Sequence, residues 1–205
     1  MKPAYWDRAK RSLSRSDPVM GAIIRRYPRM HLVPRGNAFQ TLARAIVGQQ
    51  ISVKAAQSVW ERFAAAAVAV TPQAVCALDA SVLRGCGLSA RKVEYIGDLA
   101  AHFASGRLVP ERWQSMDDEA VIAELVDVRG IGRWTAEMFL IFSLLRPDVL
   151  PVDDLGLQKA IRASYRGGRR ITATGIRRVA RAWQPWRSVA TWYLWRSLDP
   201  VPVEY

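Results

Sequence analysis

Two adjacent carboxylates, Asp153 and Asp154, close the segment Pro151-Val-Asp-Asp just ahead of a helix-periodic stretch. A glycine-spaced turn, Arg129-Gly-Ile-Gly-Arg133, lies a short way before them. A carboxylate at a helix N-terminus is kept ionised by the positive end of the helix dipole and aimed by the first-turn amides. So placed, it can stabilise positive charge that develops in a transition state, or orient an attacking water. Aspartate also caps helices with no chemistry attached, and both residues allow that reading. The glycine turn has two readings as well. It can be an ordinary helix C-cap and connection. Alternatively Gly130 and Gly132 supply positive φ and close backbone approach, and the amides that open the next helix form an anion site suited to a phosphate, with Arg129 and Arg133 adding cationic contacts. A turn that can hold a phosphate, followed closely by an aspartate, couples binding to chemistry.

The chain around these residues has 205 amino acids, 50% of them hydrophobic, enough for one substantial core or two small lobes. Its 30 lysines and arginines against 18 aspartates and glutamates leave a net charge of +12. Arginine supplies most of it, and its fork matches phosphate oxygens bidentately, so a polyanionic partner is expected. The two cysteines, Cys76 and Cys86, and the two histidines, His31 and His102, form no zinc or iron–sulfur pattern. The cysteines are expected to be reduced core or turn residues. The N-terminus carries charge and no apolar signal core, and no run approaches the roughly 18 apolar residues of a membrane span. A cytoplasmic protein that makes no membrane contact is expected, associated with the nucleoid if the chain is bacterial.

Apolar residues recur at three- and four-residue spacing throughout, so the chain reads as all-α, without strand alternation or internal repeats. Asp17-Pro18, Ser52, Thr71-Pro72, Asp79, Ser89, Asp117 and Thr172 are expected to open helices. Phe39, Leu42, Ala43, Ile46 and Val47 share one face. Ser52 opens a helix through Phe63. A helix leaves the glycine turn from Arg133 to Leu145, stopped by Pro147. Thr172 caps one through Trp183, and Pro185 begins the last. Gly36 and the stretch 106–110 are candidate boundaries.

The segments Leu125-Val-Asp-Val-Arg-Gly-Ile-Gly-Arg-Trp-Thr-Ala136 and Pro151-Val-Asp-Asp154 resemble the helix-hairpin-helix superfamily of DNA glycosylases, within it the DNA-3-methyladenine glycosylase II family. The likeness runs roughly from Phe39 to Trp195. It implies one unit over residues 1–205 with two helical lobes flanking a cleft: about 50–125 in the middle, and 1–49 with 126–205 around it. It implies the compact form, without an N-terminal β-domain. By matching position the catalytic aspartate falls on Asp154, with Asp153 as a cap or supporting residue. Trp134 and Trp195 line the base cleft, and Met138 stands where the best-known bacterial member has an aromatic. An alkylated purine is cationic and stacks well on indole. Gly48-Gln-Gln-Ile-Ser52 matches the loop that fills the gap left by a flipped base, with Gln50 as the wedge and Gln49 bonding locally. The main-chain oxygens of Val126, Val128 and Ile131 match a structural Na+ or K+ site; no cofactor is otherwise required.

Related bifunctional enzymes carry a lysine two residues after the second glycine, where this chain has Trp134, and a Schiff base cannot form on tryptophan. The resemblance therefore implies a monofunctional enzyme that acts on double-stranded DNA as a monomer, excises 3-methyladenine or 7-methylguanine, and leaves the strand intact. The absence of a C-terminal four-cysteine cluster separates the chain from the endonuclease III and adenine-mismatch branches. Two other readings stay open: a helix-hairpin-helix glycosylase for deaminated or etheno bases, and a non-catalytic DNA-binding protein. Trp192, Trp183 and Trp186 are expected in the core.

Overall fold

The computed structural model describes residues 2–199, and among these it contains helices and no strand. In chain order the helices are α1 (Trp6–Ser16), α2 (Pro18–Arg26), α3 (Ala38–Gly48), α4 (Val53–Ala67), α5 (Pro72–Cys76), α6 (Ala80–Gly85) and α7 (Ala90–Ala104). There follow α8 (Pro110–Trp113), α9 (Asp118–Val126), α10 (Arg133–Phe142), α11 (Leu155–Tyr165), α12 (Ala173–Val179) and α13 (Arg187–Leu198), with a 3-10 turn at Ala180–Trp183. The side chains of Asp17, Ser52, Thr71, Ser89, Asp117 and Thr172 accept the first-turn amides as their sequence context requires. Asp79 occupies its cap position without making that bond. Asn37, which the sequence reading passed over, caps α3.

The chain divides into two compact units, residues 1–34 with 140–204, and residues 35–139. The middle unit is thus wider than the expected 50–125. It gains α3 because Phe39 meets Phe103 of α7 edge-on at 5.4 Å, and it gains the glycine turn and most of α10 because Phe139 meets Trp113 at 5.3 Å. Phe103 and Trp113 also touch, so four rings run unbroken through this unit. The other unit is built on Trp6, Leu13, Met20, Trp183 and Tyr193, each fully buried. Trp186 and Trp192 join them in the core, as expected of tryptophans at helical spacing.

Four helix boundaries depart from the sequence expectation, among them that of the helix capped by Thr172, which is α-helical to Val179 and tightens to 3-10 from there to Trp183. α4 runs on to Ala67 through a stretch of alanines. α10 stops at Phe142 rather than Leu145, because Leu145 turns to φ +56 and the Arg146 amide bonds back to Leu140 O at 2.9 Å. α13 begins at Arg187 rather than Pro185. There the Asp148 carboxylate accepts the Arg187 amide at 3.1 Å and its guanidinium at 2.8 and 2.9 Å, a cap supplied from a distant loop.

Asp17 ties the first unit together. Its buried carboxylate caps α2 through Met20 N at 3.0 Å and accepts Tyr165 OH at 2.7 Å and Trp183 Nε1 at 2.9 Å. Burial, with the Asp17 charge beside it, pushes the Tyr165 hydroxyl far above its ordinary pKa. Asp17→Ala removes a cap and leaves a buried O–H and N–H without an acceptor, and is expected to cost about 3 kcal/mol in urea unfolding. A loss below about 1 kcal/mol would mean that water replaces the carboxylate without penalty.

Candidate active site

The glycine turn is made by backbone geometry and held from beneath. Val128 and Ile131 are buried, and Ile131 N–H bonds to Val128 O at 3.1 Å, which closes the turn. Gly130 sits at φ +86, and a Cβ there would fall inside the Tyr95 ring, so both conformation and space demand glycine. Gly132 differs from expectation: it does not take positive φ, and a Cβ would meet nothing within 4 Å. Its lack of a side chain instead leaves the approach to the first turn of α10 open, where the leading N–H groups have no carbonyl within the helix to bond.

Both arginines of the turn are engaged inside their own unit. The Arg129 amide donates to Asp98 Oδ2 at 2.8 Å, and its guanidinium reaches Oδ1 at 3.3 Å. Arg133 holds Glu119 with a bidentate fork, Nη1 to Oε2 at 2.9 Å, and donates from Nε to Glu137 Oε1 at 3.1 Å. Glu119 raises the pKa of Arg133, and Arg133 lowers that of Glu119. The expectation that these side chains are ready phosphate contacts is therefore corrected: each is neutralised by a carboxylate. The Glu119 side chain is 70% exposed, so that pair contributes at most about 1 kcal/mol and can be exchanged for a phosphate. On the inner side of the turn, His102 donates to Asp98 O at 2.8 Å and faces Asp127 Oδ2 at 3.2 Å.

A second loop is fastened to this turn. Gln49 Nε2 donates to Gly130 O at 2.8 Å, a contact across 81 residues and not the local bond the sequence suggested. Lys92 Nζ donates to Val47 O at 2.8 Å and Gln49 O at 2.7 Å, and its burial there lowers its pKa. Between these anchors Gln50 is exposed at φ +59, a conformation that costs a non-glycine residue about 1–3 kcal/mol unless its surroundings enforce it. The wedge candidate is thus a projecting side chain on a braced backbone. On α10, Trp134 and Met138 stand one turn apart on one face, Trp134 48% exposed and Met138 half-buried.

In the other unit Asp154 is 8% exposed and is the cap of α11. Its Oδ1 accepts Leu157 N–H at 2.6 Å and the Trp195 indole N–H at 2.8 Å. The Trp195 ring lies parallel to Phe142 at 5.7 Å. Gly156 makes this possible, since a Cβ there would sit 3.1 Å from both Asp154 Oδ1 and Trp195 Cδ1. Asp153 is exposed and caps nothing, so the carboxylate pair divides sharply and the cap reading of Asp153 is corrected. Sequence reasoning missed Phe142 and Gly156. Glycine at the second residue of a helix, where it weakens the helix, was the available signal.

A buried carboxylate fixed by two N–H donors in one unit, and a glycine turn that presents helix-opening amides in the other, are the two features that the sequence resemblance describes. The model for HhH-GPD superfamily base excision DNA repair proteins matches residues 43–187. The chain belongs to this superfamily. It is 36% identical over 164 residues to DNA-3-methyladenine glycosylase 1 of Schizosaccharomyces pombe, covering 78% of this chain and 72% of that one. Among solved structures, a DNA-3-methyladenine glycosidase from Bacillus halodurans superposes with a TM-score of 0.86 at 33% identity, covering 93% and 89% of the two chains. The S. pombe 3-methyladenine DNA glycosylase in complex with abasic DNA gives 0.77 at 31% identity over 93% and 96%. No helix among the described residues is long and apolar enough to cross a membrane.

Two substitutions test the braced turn. Gly130→Ala is expected to lose about 2–4 kcal/mol by thermal or urea unfolding, whereas Gly132→Ala changes stability by less than about 1 kcal/mol. Equal effects would contradict the distinct roles assigned to them. Lys92→Met is expected to speed amide hydrogen exchange across residues 49–52 by about tenfold while leaving α9 protected. Unchanged protection there would show that Lys92 does not brace Gln50.

Proposed function

We propose that this HhH-GPD protein is a monofunctional DNA glycosylase that flips alkylated purines, 3-methyladenine and 7-methylguanine, out of double-stranded DNA and hydrolyses their N-glycosidic bonds. The observation that carries the reading is the immobilised Asp154 carboxylate. When the base leaves with the electron pair of the glycosidic bond, positive charge develops on the deoxyribose. Asp154 stabilises that charge without having to reorient, because Leu157 N–H and Trp195 Nε1 already fix its Oδ1. Water then adds to C1′, and its proton passes to the carboxylate or to solvent, leaving an abasic site. An alkylated purine is cationic before it leaves, so its bond is weak and the site needs no strong general acid and no cofactor.

Trp134 and Met138 offer an apolar, polarisable face for a flipped base. Trp134 also stands where a strand-cutting relative would have lysine, which supports hydrolysis without cleavage of the backbone. Gln50 fills the vacated place in the duplex. The amides that follow Gly132 take a phosphate. The carbonyls of Val126, at the end of α9, and of Val128 and Ile131 are hard oxygen donors of the type that suits a sodium or potassium ion. Val128 O keeps a lone pair beyond its bond to Ile131 N–H. When bound, such an ion would add positive charge beside the phosphate. One lesion and one wedge call for a monomer.

DNA methylated at random by a simple alkylating agent provides the test. Wild type is expected to release 3-methyladenine or 7-methylguanine and leave strands intact. Asp154→Asn, which keeps the cap acceptor, should fold and bind DNA but excise at least about a hundredfold more slowly. Full activity in Asp154→Asn would sink the assignment of that residue, and strand breaks from purified wild type would sink the monofunctional reading. Release of hypoxanthine or ethenoadenine alone would transfer the same chemistry to a different class of base.

A further inference from the structure

The positive charge of this protein is not spread over it. Residues 1–34 and 140–204 carry 19 lysines and arginines against 7 aspartates and glutamates, while residues 35–139 carry 11 of each, so the whole +12 belongs to the first unit. The unit that holds the glycine turn and Gln50 is neutral, and its turn arginines are already paired with Asp98, Glu119 and Glu137. Long-range attraction for a polyanion must therefore come from elsewhere.

The best-formed basic feature of the charged unit is on α1. Trp6, Ala9 and Leu13 bury one face of this helix, which fixes the outward direction of the opposite one. There Arg8, Arg11 and Arg15 follow at helical spacing, all exposed, over roughly 10 Å of helix. Ser12, Ser16 and Trp186 complete an open groove with them. None of the three guanidiniums is in a salt bridge among the described residues, because the one acid on α1, Asp7, is taken by Lys2 and Lys10. Arg8 lies over the Trp186 ring at 5.0 Å, and Tyr5 stacks on that ring at 5.8 Å, so this end of the ridge is rigid.

We propose that the Arg8–Arg11–Arg15 ridge is a second surface for the duplex phosphate backbone, separate from the glycine turn and without a part in excision. Forks in a row above serine hydroxyls match a phosphate run, the non-specific contact that draws a protein onto undamaged duplex before any lesion is met. The inference rests on the DNA reading above and concerns the source of affinity, not the chemistry.

The Arg11→Gln/Arg15→Gln variant tests it and leaves the Arg8–Trp186 contact in place. Affinity for an undamaged duplex is measured between about 50 and 200 mM salt, and each lost phosphate contact removes about 0.9 from the log–log slope. The variant is expected to show a slope shallower by about 1.8, weaker binding at low salt, and unchanged excision of a single lesion at saturating enzyme. A wild-type slope in the variant overturns the ridge alone. Loss of saturated excision also overturns it, since a surface outside the site cannot touch the chemical step. A wild type with no salt-dependent affinity for duplex overturns the ridge and the DNA reading together.

Discussion

Everything at the candidate site depends on keeping one negative charge still. A carboxylate that is 8% exposed is costly unless donors compensate it, and Asp154 finds two on the same oxygen, one from the helix it caps and one from an indole. This requirement shapes what surrounds it. Position 156 must be glycine-sized for the indole to come close, and Phe142 must back that indole. The aspartate next door, with no such partners, is left in solvent. In the reaction proposed for this site, a charge fixed in advance loses nothing to reorganisation when the sugar becomes cationic, which is the source of electrostatic catalysis.

The glycine turn solves a different problem by the opposite means. Its side chains are balanced by carboxylates, so what remains to meet a phosphate is oriented backbone. Backbone amides carry no base preference and cannot swing away, so in the proposed DNA complex they would fix register while the charged unit supplied attraction. The Gln49 bond to Gly130 O and the Lys92 bonds to Val47 O and Gln49 O join the turn and the loop that carries Gln50 into one braced piece.

Most of this architecture was legible in the sequence, and the reasons are local. The capping residues at 17, 52, 71, 89, 117 and 172 mark helix starts because a side-chain oxygen within reach of a first-turn amide is a short-range requirement. The apolar face of α3 and the fate of most tryptophans follow from periodicity alone. What escaped was long-range. The start of α13 depends on Asp148, 39 residues away; the tether of Gln49 reaches across 81; and the neutralisation of Arg133 by Glu119 joins helices that periodicity cannot pair. Gly130 and Gly132 look alike in the motif, yet only the contact with Tyr95 shows which of them is a packing requirement.

The indole of Trp195 has two duties, one edge holding the carboxylate and one face stacked on Phe142. That coupling limits how such a protein can diversify. Under the proposed function, a substitution at 195 that reshapes the surroundings of a base would also release Asp154, so new specificity gained there would come with a weaker reaction. Position 156 is closed to variation for the same reason, since a Cβ there would meet both the carboxylate and the indole, so the Asp154–Gly156–Trp195 arrangement changes as a unit or not at all.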